Sequence, residues 1–197
     1  MLRKLSLKMA VIAVILALGG CASAPSRINN VCAVFEQRDG WFDNWYVAAK
    51  QTEREYGVPV PILMATIRKE SGFSPRVKPP RTKLLGFIPW KRPSSAYGFS
   101  QALDGTWKQY QRETGRYGAS RSKFADAVHF VGWYHSKSNK TNGIELNDAY
   151  HLYLAYYFGH GAFSRGEWKS NASMQQVARA TTKMAEDYAA QMRNCNQ

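Results

Sequence analysis

Beyond Cys32 the apolar residues of this 197-residue chain recur every three or four positions rather than every second one, and no run of four or more β-branched or aromatic residues is bracketed by turn signals. Each segment of that kind has one stripe to bury, so the fold expected is mostly α around a single core. Asp39 is placed to cap a helix running through Trp41, Trp45, Ala48 and Ala49, which Gly57 ends. Pro59 and Pro61 open the next, which carries Ile62 to Glu70 and stops at Gly72-Phe73-Ser74-Pro75. Further helices are predicted over Asp104–Glu113, Ser122–Ser136, Glu145–Phe158 and Ser173–Met192. Between Ser74 and Ser95, Pro75, Pro79, Pro80, Pro89 and Pro93 exclude a helix and leave a long loop insertion. Apolar residues make up 45% and charged residues 21%, enough to bury a core and to exclude a disordered chain.

The length fits one domain with an appendage, and the appendage is at the N-terminus. Arg3, Lys4 and Lys8 precede ten apolar residues, Met9 to Leu18, followed at once by Gly19-Gly20-Cys21. That is the pattern of an export signal, and ten residues are too few to cross about 30 Å of hydrocarbon as a helix. Leu18-Gly19-Gly20-Cys21 resembles the lipobox of bacterial lipoproteins, which implies a lipid on Cys21 and a membrane attachment through it. Ala22 rather than Asp after the cysteine implies an outer-membrane address facing the periplasm. The chain is thus divided into a signal peptide over 1–20, a lipidated linker over 21–38 and a domain over 39–197. Loss of the three basic residues with the signal lowers the net charge from +13 to +10, so the basic bias belongs to the exported domain and suits an anionic polymer or surface. In an oxidising compartment Cys32 and Cys195 are expected to form a disulfide joining the two ends of the domain.

Other chemistries fare less well. His129, His135, His151 and His160 lack the paired spacing of a metal site, so neither metal nor cofactor is expected. Nucleic acid fits the charge alone, since export removes the substrate and no basic recognition helix is present.

On a wheel of about 100° per residue, Leu63, Thr66, Ile67 and Glu70 fall on one side of their helix and Ala65, Arg68 and Lys69 on the other. Glu70 therefore lies on the core-facing stripe at the negative end of the helix dipole. Desolvation and the dipole both favour its protonated form, the condition for a general acid near neutral pH. The same position also suits a glutamate paired with a basic residue at the domain edge.

Three strings surround this residue in order: Glu70-Ser71-Gly72-Phe73, then Ser94-Ser95-Ala96-Tyr97-Gly98-Phe99-Ser100-Gln101, then Ala155-Tyr156-Tyr157-Phe158-Gly159-His160-Gly161. Together they resemble the three motifs of the soluble lytic transglycosylase catalytic domain, a relative of goose-type lysozyme, over roughly 39–188. The resemblance implies a lysozyme-like helical domain acting on peptidoglycan, with Glu70 as the single catalytic acid and base. It implies a cleft lined by Ser71, Ser95, Gly98, Phe99, Ser100 and Gln101, where Gly98 lets backbone pass close to a sugar and Gln101 offers an amide. Tyr156 and Tyr157 match the third motif, whose helix faces the acid. The implied reaction breaks the β-1,4 bond between N-acetylmuramic acid and N-acetylglucosamine and leaves a 1,6-anhydro end; a muramidase-type hydrolase and an inactive wall-binding lipoprotein of the same fold are the alternatives.

The chain departs from the family pattern at Ser100, where methionine is usual, and at Tyr157, where asparagine is usual. Tyr150, Tyr153, Leu154 and Tyr157 also share one helical face, which reads as core packing. The insertion is a third departure. Arg76, Lys78, Arg81, Lys83, Lys91 and Arg92 surround the apolar string 84–90, and no acidic residue occurs between Glu70 and Asp104. Such a loop suits either the anionic peptides of the cell wall or a membrane surface. The small size and the lipid anchor also permit a specialised transglycosylase that clears wall for a piece of cell-envelope machinery, whose identity the sequence does not give.

Overall fold

The computed structural model describes residues 24–39 and 43–195, so the export segment, Cys21 and Trp41 lie outside it. Among the described residues the helices are α1 (Val31–Phe35), α2 (Trp45–Tyr56), α3 (Val60–Ser71), α4 (Asp104–Thr114), α5 (Phe124–Asn142), α6 (Ala149–Phe158), α7 (His160–Ser164) and α8 (Ala172–Met192). A 3-10 turn, Glu167–Ser170, precedes α8. Two antiparallel hairpins of two-residue strands complete the list: β1 (Arg38–Asp39) with β2 (Asp43–Asn44), and β3 (Lys83–Leu84) with β4 (Ile88–Pro89). The chain is mostly helical, as the periodicity predicts, and is consistent with the lysozyme-like domain that the resemblance implies.

Local signals account for most boundaries. α2 begins five residues later than expected, because Asn44, not Asp39, caps it: Asn44 Oδ1 accepts from the backbone N–H groups of Tyr46 and Val47 at 2.8 and 3.2 Å. Asp39 instead accepts from the indole N–H of Trp45 at 3.1 Å and from the backbone N–H of Phe124, so it ties the start of α2 to the start of α5. α3 carries a proline in its first turn, and Gly72 ends it in the left-handed region at φ 58°. Val31–Phe35, within the stretch assigned to the linker, is a helix with Val31, Val34 and Phe35 buried, so the packed unit begins before residue 39.

α5 is the hub of the fold. It is buried along most of its length and packs against α2, α3 and α6. Gly132 permits the closest of these approaches, since a Cβ there would lie 2.3 Å from Thr52 Cγ2 of α2. Trp45 stacks on Phe124 at 4.2 Å between ring centroids, and Phe99 meets both edge-on at 5.3 and 5.7 Å. α8 packs against both α3 and α6, so α5 and α8 together hold those two helices within side-chain reach of each other. Cys32 and Cys195 are joined by a disulfide that links α1 to the chain beyond α8.

Candidate active site

Glu70 sits in the last turn of α3, half-buried, where the helix stripe that carries Leu63, Thr66 and Ile67 turns into the core. Burial pushes its carboxyl up to about 7, against the opposing influence of one hydrogen bond and of the Lys69 charge. That hydrogen bond comes from α6: the Tyr153 hydroxyl donates to Glu70 Oε1 at 3.0 Å. Oε2 has no protein partner among the described residues. A carboxyl with one oxygen held by a donor, and with its acid form favoured by burial, can give up a proton near neutral pH and take one back.

Tyr153 is the residue that sequence reasoning assigned to packing. Its ring does pack, in a second apolar cluster with Leu154 and Ala178, while its hydroxyl extends to the acid. The burial of that hydroxyl beside a carboxyl keeps it firmly protonated, so it retains the proton it donates to Glu70. A signal was available, because Tyr153, Tyr156 and Tyr157 stand at i, i+3 and i+4 and share a helical face with the third motif.

Most of the other expected residues are engaged within the fold. Ser71 Oγ donates back to the Ile67 carbonyl of its own helix at 3.2 Å. Ser95 Oγ accepts from the backbone N–H of Asp104, the first residue of α4, at 3.0 Å. Gly98 has φ 76°, and a Cβ on it would lie 2.1 Å from the Arg121 carbonyl oxygen, so a neighbouring backbone requires the glycine. Phe99 is fully buried in the Trp45–Phe124 cluster. Gln101 spends its amide on the carbonyls of Val77 and Gly98 at 3.1 and 2.8 Å, pinning the start of the insertion to the second motif.

The second and third motifs meet where the Tyr156 hydroxyl donates to the Ser100 carbonyl at 2.6 Å. Ser100 is fully buried, and its own hydroxyl has no partner among the described residues. Beside this junction a cleft of about 180 Å³ is lined by Gln101, Leu103, Thr106, Tyr134, Tyr156 and Tyr157. Tyr157 stands at its rim, 55% exposed. Behind it, Thr66 gives its hydroxyl proton to the Ile62 carbonyl at 2.9 Å and therefore accepts from His135 Nε2 at 3.1 Å. His135 is fully buried and held neutral, its pKa driven down to about 3 by desolvation.

Among the described residues no three His, Cys, Asp or Glu side chains converge as metal ligands, and no helix is long and apolar enough to cross a membrane. No second carboxylate of the described residues acts on Glu70; Asp104, the acid nearest in sequence to the second motif, is engaged by Arg121 at 2.7 Å. Comparison with curated proteins finds no match. The model of one family, described as the transglycosylase SLT domain, matches residues 9–195. With a match of that extent the chain belongs to the transglycosylase SLT domain family, whose substrate is the peptidoglycan of the cell envelope.

Proposed function

We propose that the protein is a lytic transglycosylase that cleaves the β-1,4 bond between N-acetylmuramic acid and N-acetylglucosamine with Glu70 as its only catalytic carboxyl. The observation that carries this reading is the half-buried Glu70, shifted up to about 7 and held at one oxygen by Tyr153. In the protonated form Glu70 gives its proton to the leaving glycosidic oxygen. As carboxylate it then takes the proton of the muramoyl C6 hydroxyl while that oxygen attacks C1, which closes a 1,6-anhydro ring and consumes no water. The substrate's acetamido group supports the positive charge that develops at C1, so a second protein carboxylate is not needed. Tyr153 keeps the carboxyl oriented through both proton transfers.

The N-terminal pattern supports delivery of this activity to the periplasmic face of the outer membrane. Arg3 to Leu18 carries the export signal and Cys21 the lipid. Labelling of the wild-type protein by fatty acid in a bacterial host, lost in Cys21→Ser, is the expected outcome.

The reaction is tested by incubating the protein and its Glu70→Gln variant with purified sacculi and weighing the released muropeptides. Anhydro products, one water lighter than reducing ends, are expected from wild type only. Reducing ends that disappear with Glu70→Gln identify a hydrolase. Absence of release from sacculi that a known muramidase digests identifies a wall-binding protein.

A further inference from the structure

The insertion between α3 and α4 is not the plain loop its prolines suggest. Thr82 and Lys91 close a hairpin, with Thr82 N–H donating to the Lys91 carbonyl at 2.9 Å and Trp90 N–H to the Thr82 carbonyl at 2.7 Å. Arg81 donates to the Trp90 carbonyl at 3.3 Å, and Arg92 to that of Pro79, so both arms are braced at the base. Leu85 and Gly86 turn the tip at φ 54° and 81°. A leucine is costly in that conformation, where Asn or Gly is the ordinary choice.

What the tip presents is apolar. Leu85 is 75% exposed, Phe87 73% and Trp90 49%. Around it stand Arg76, Lys78, Arg81, Lys83, Lys91 and Arg92, every one exposed and none in an ion pair among the described residues. We propose that this hairpin docks on the surface of an anionic lipid bilayer, with Leu85, Phe87 and Trp90 entering the headgroup boundary and the six cations facing lipid phosphates. The charge complement is one-sided, as no carboxylate occurs between Glu70 and Asp104 to repel that surface. Wall peptides would satisfy the cations but offer little to the three exposed apolar side chains. A bilayer takes up both.

The test compares full-length wild type with two variants that share its N-terminus, so any lipid there contributes equally. One variant is Leu85→Ser/Phe87→Ser/Trp90→Ser, and the other is Lys83→Gln/Lys91→Gln. The probes are vesicles of phosphatidylglycerol in phosphatidylcholine, vesicles of phosphatidylcholine alone, and purified sacculi. Amide hydrogen exchange over 82–91 is expected to slow with the anionic vesicles and with neither other probe. Affinity for anionic vesicles should fall at least tenfold in the apolar variant and about fivefold per lysine removed in the other, while release from sacculi stays at the wild-type rate in both. Unchanged vesicle affinity in both variants overturns the proposal. Exchange that slows with sacculi instead of vesicles also overturns it and assigns the hairpin to the wall. The reaction of Glu70 enters neither the exchange nor the vesicle-affinity readout, so failure of one reading leaves the other standing.

Discussion

Two of the titratable side chains set into this core, His129 and Glu70, are treated differently. His129 on α5 is bound at both ring nitrogens: Nδ1 lies 2.9 Å from the Tyr110 hydroxyl, and Nε2 lies 3.1 Å from each carboxylate oxygen of Glu55. Glu70 on α3 is held at one oxygen only. Burial moves each toward its neutral form, lowering His129 and raising Glu70. The satisfied group is fixed in a single state and serves the packing of α2, α4 and α5. The half-satisfied one stays poised between two states, and that is where chemistry is available.

The sharpest way to break this comparison is to exchange the two groups for neutral partners and read activity. Glu70→Gln is expected to lower release from sacculi at least ~10³-fold, roughly 4 kcal/mol of barrier, while His129→Gln keeps the wild-type rate per folded molecule. Stability should answer in the opposite sense. His129→Leu is expected to cost about 2–3 kcal/mol in chemical denaturation, since the Tyr110 hydroxyl and the Glu55 carboxylate lose their partner. Glu70→Gln is expected to stabilise the protein by roughly 2–3 kcal/mol at pH 8, with the gain fading to nothing near pH 4.5.

The sign follows from which state holds the proton. Glu70 has a higher pKa folded than unfolded, so its contribution to stability is complete below 4.5 and lost as pH rises through about 7. His129 and His135 have lower values folded than unfolded, so theirs is complete above 6.5 and lost as pH falls. The two trends oppose each other in wild type across the weakly acidic range. Removing Glu70 should unmask a stability that climbs with pH up to about 6.5. Activity should decline as pH rises through about 7, because the first step needs the protonated acid.

The smallest effect expected is that of Tyr153→Phe. It removes one hydrogen bond, about 1–2 kcal/mol, and lowers the rate roughly 10-fold. Because that bond favours the carboxylate, its loss should carry the alkaline limb of the pH profile upward, a shift that a purely structural role for the tyrosine would not produce.

How far these features could be read beforehand depended on how local their causes are. Gly57, Gly72, Pro59 and Pro61 act on the backbone within one turn, and α3 lies within two residues of its expected limits. The stripe that places Glu70 on the inner face is equally local. The cap of α2 was misplaced because Asp39 and Asn44 are both competent caps, and only the long-range bond from Asp39 to Phe124 decides between them. Gly98 was legible as a close approach, but the approaching group belongs to Arg121, more than twenty positions away. Tyr153 stayed hidden because one side chain does two jobs, ring in the core and hydroxyl on the acid, and an apolar stripe reports only the first. The hairpin strands are two residues long, below what alternation can reveal.

The disulfide between Cys32 and Cys195 governs how the domain bears load. With the N-terminus anchored as proposed above, tension on it would arrive at the residues before α1. That tension crosses the bridge into the end of α8, and α8 lies along both α3 and α6. The force is therefore shared between α1 and the longest helix among the described residues, and pulling on the two ends cannot extend the chain between Cys32 and Cys195 without breaking a covalent bond.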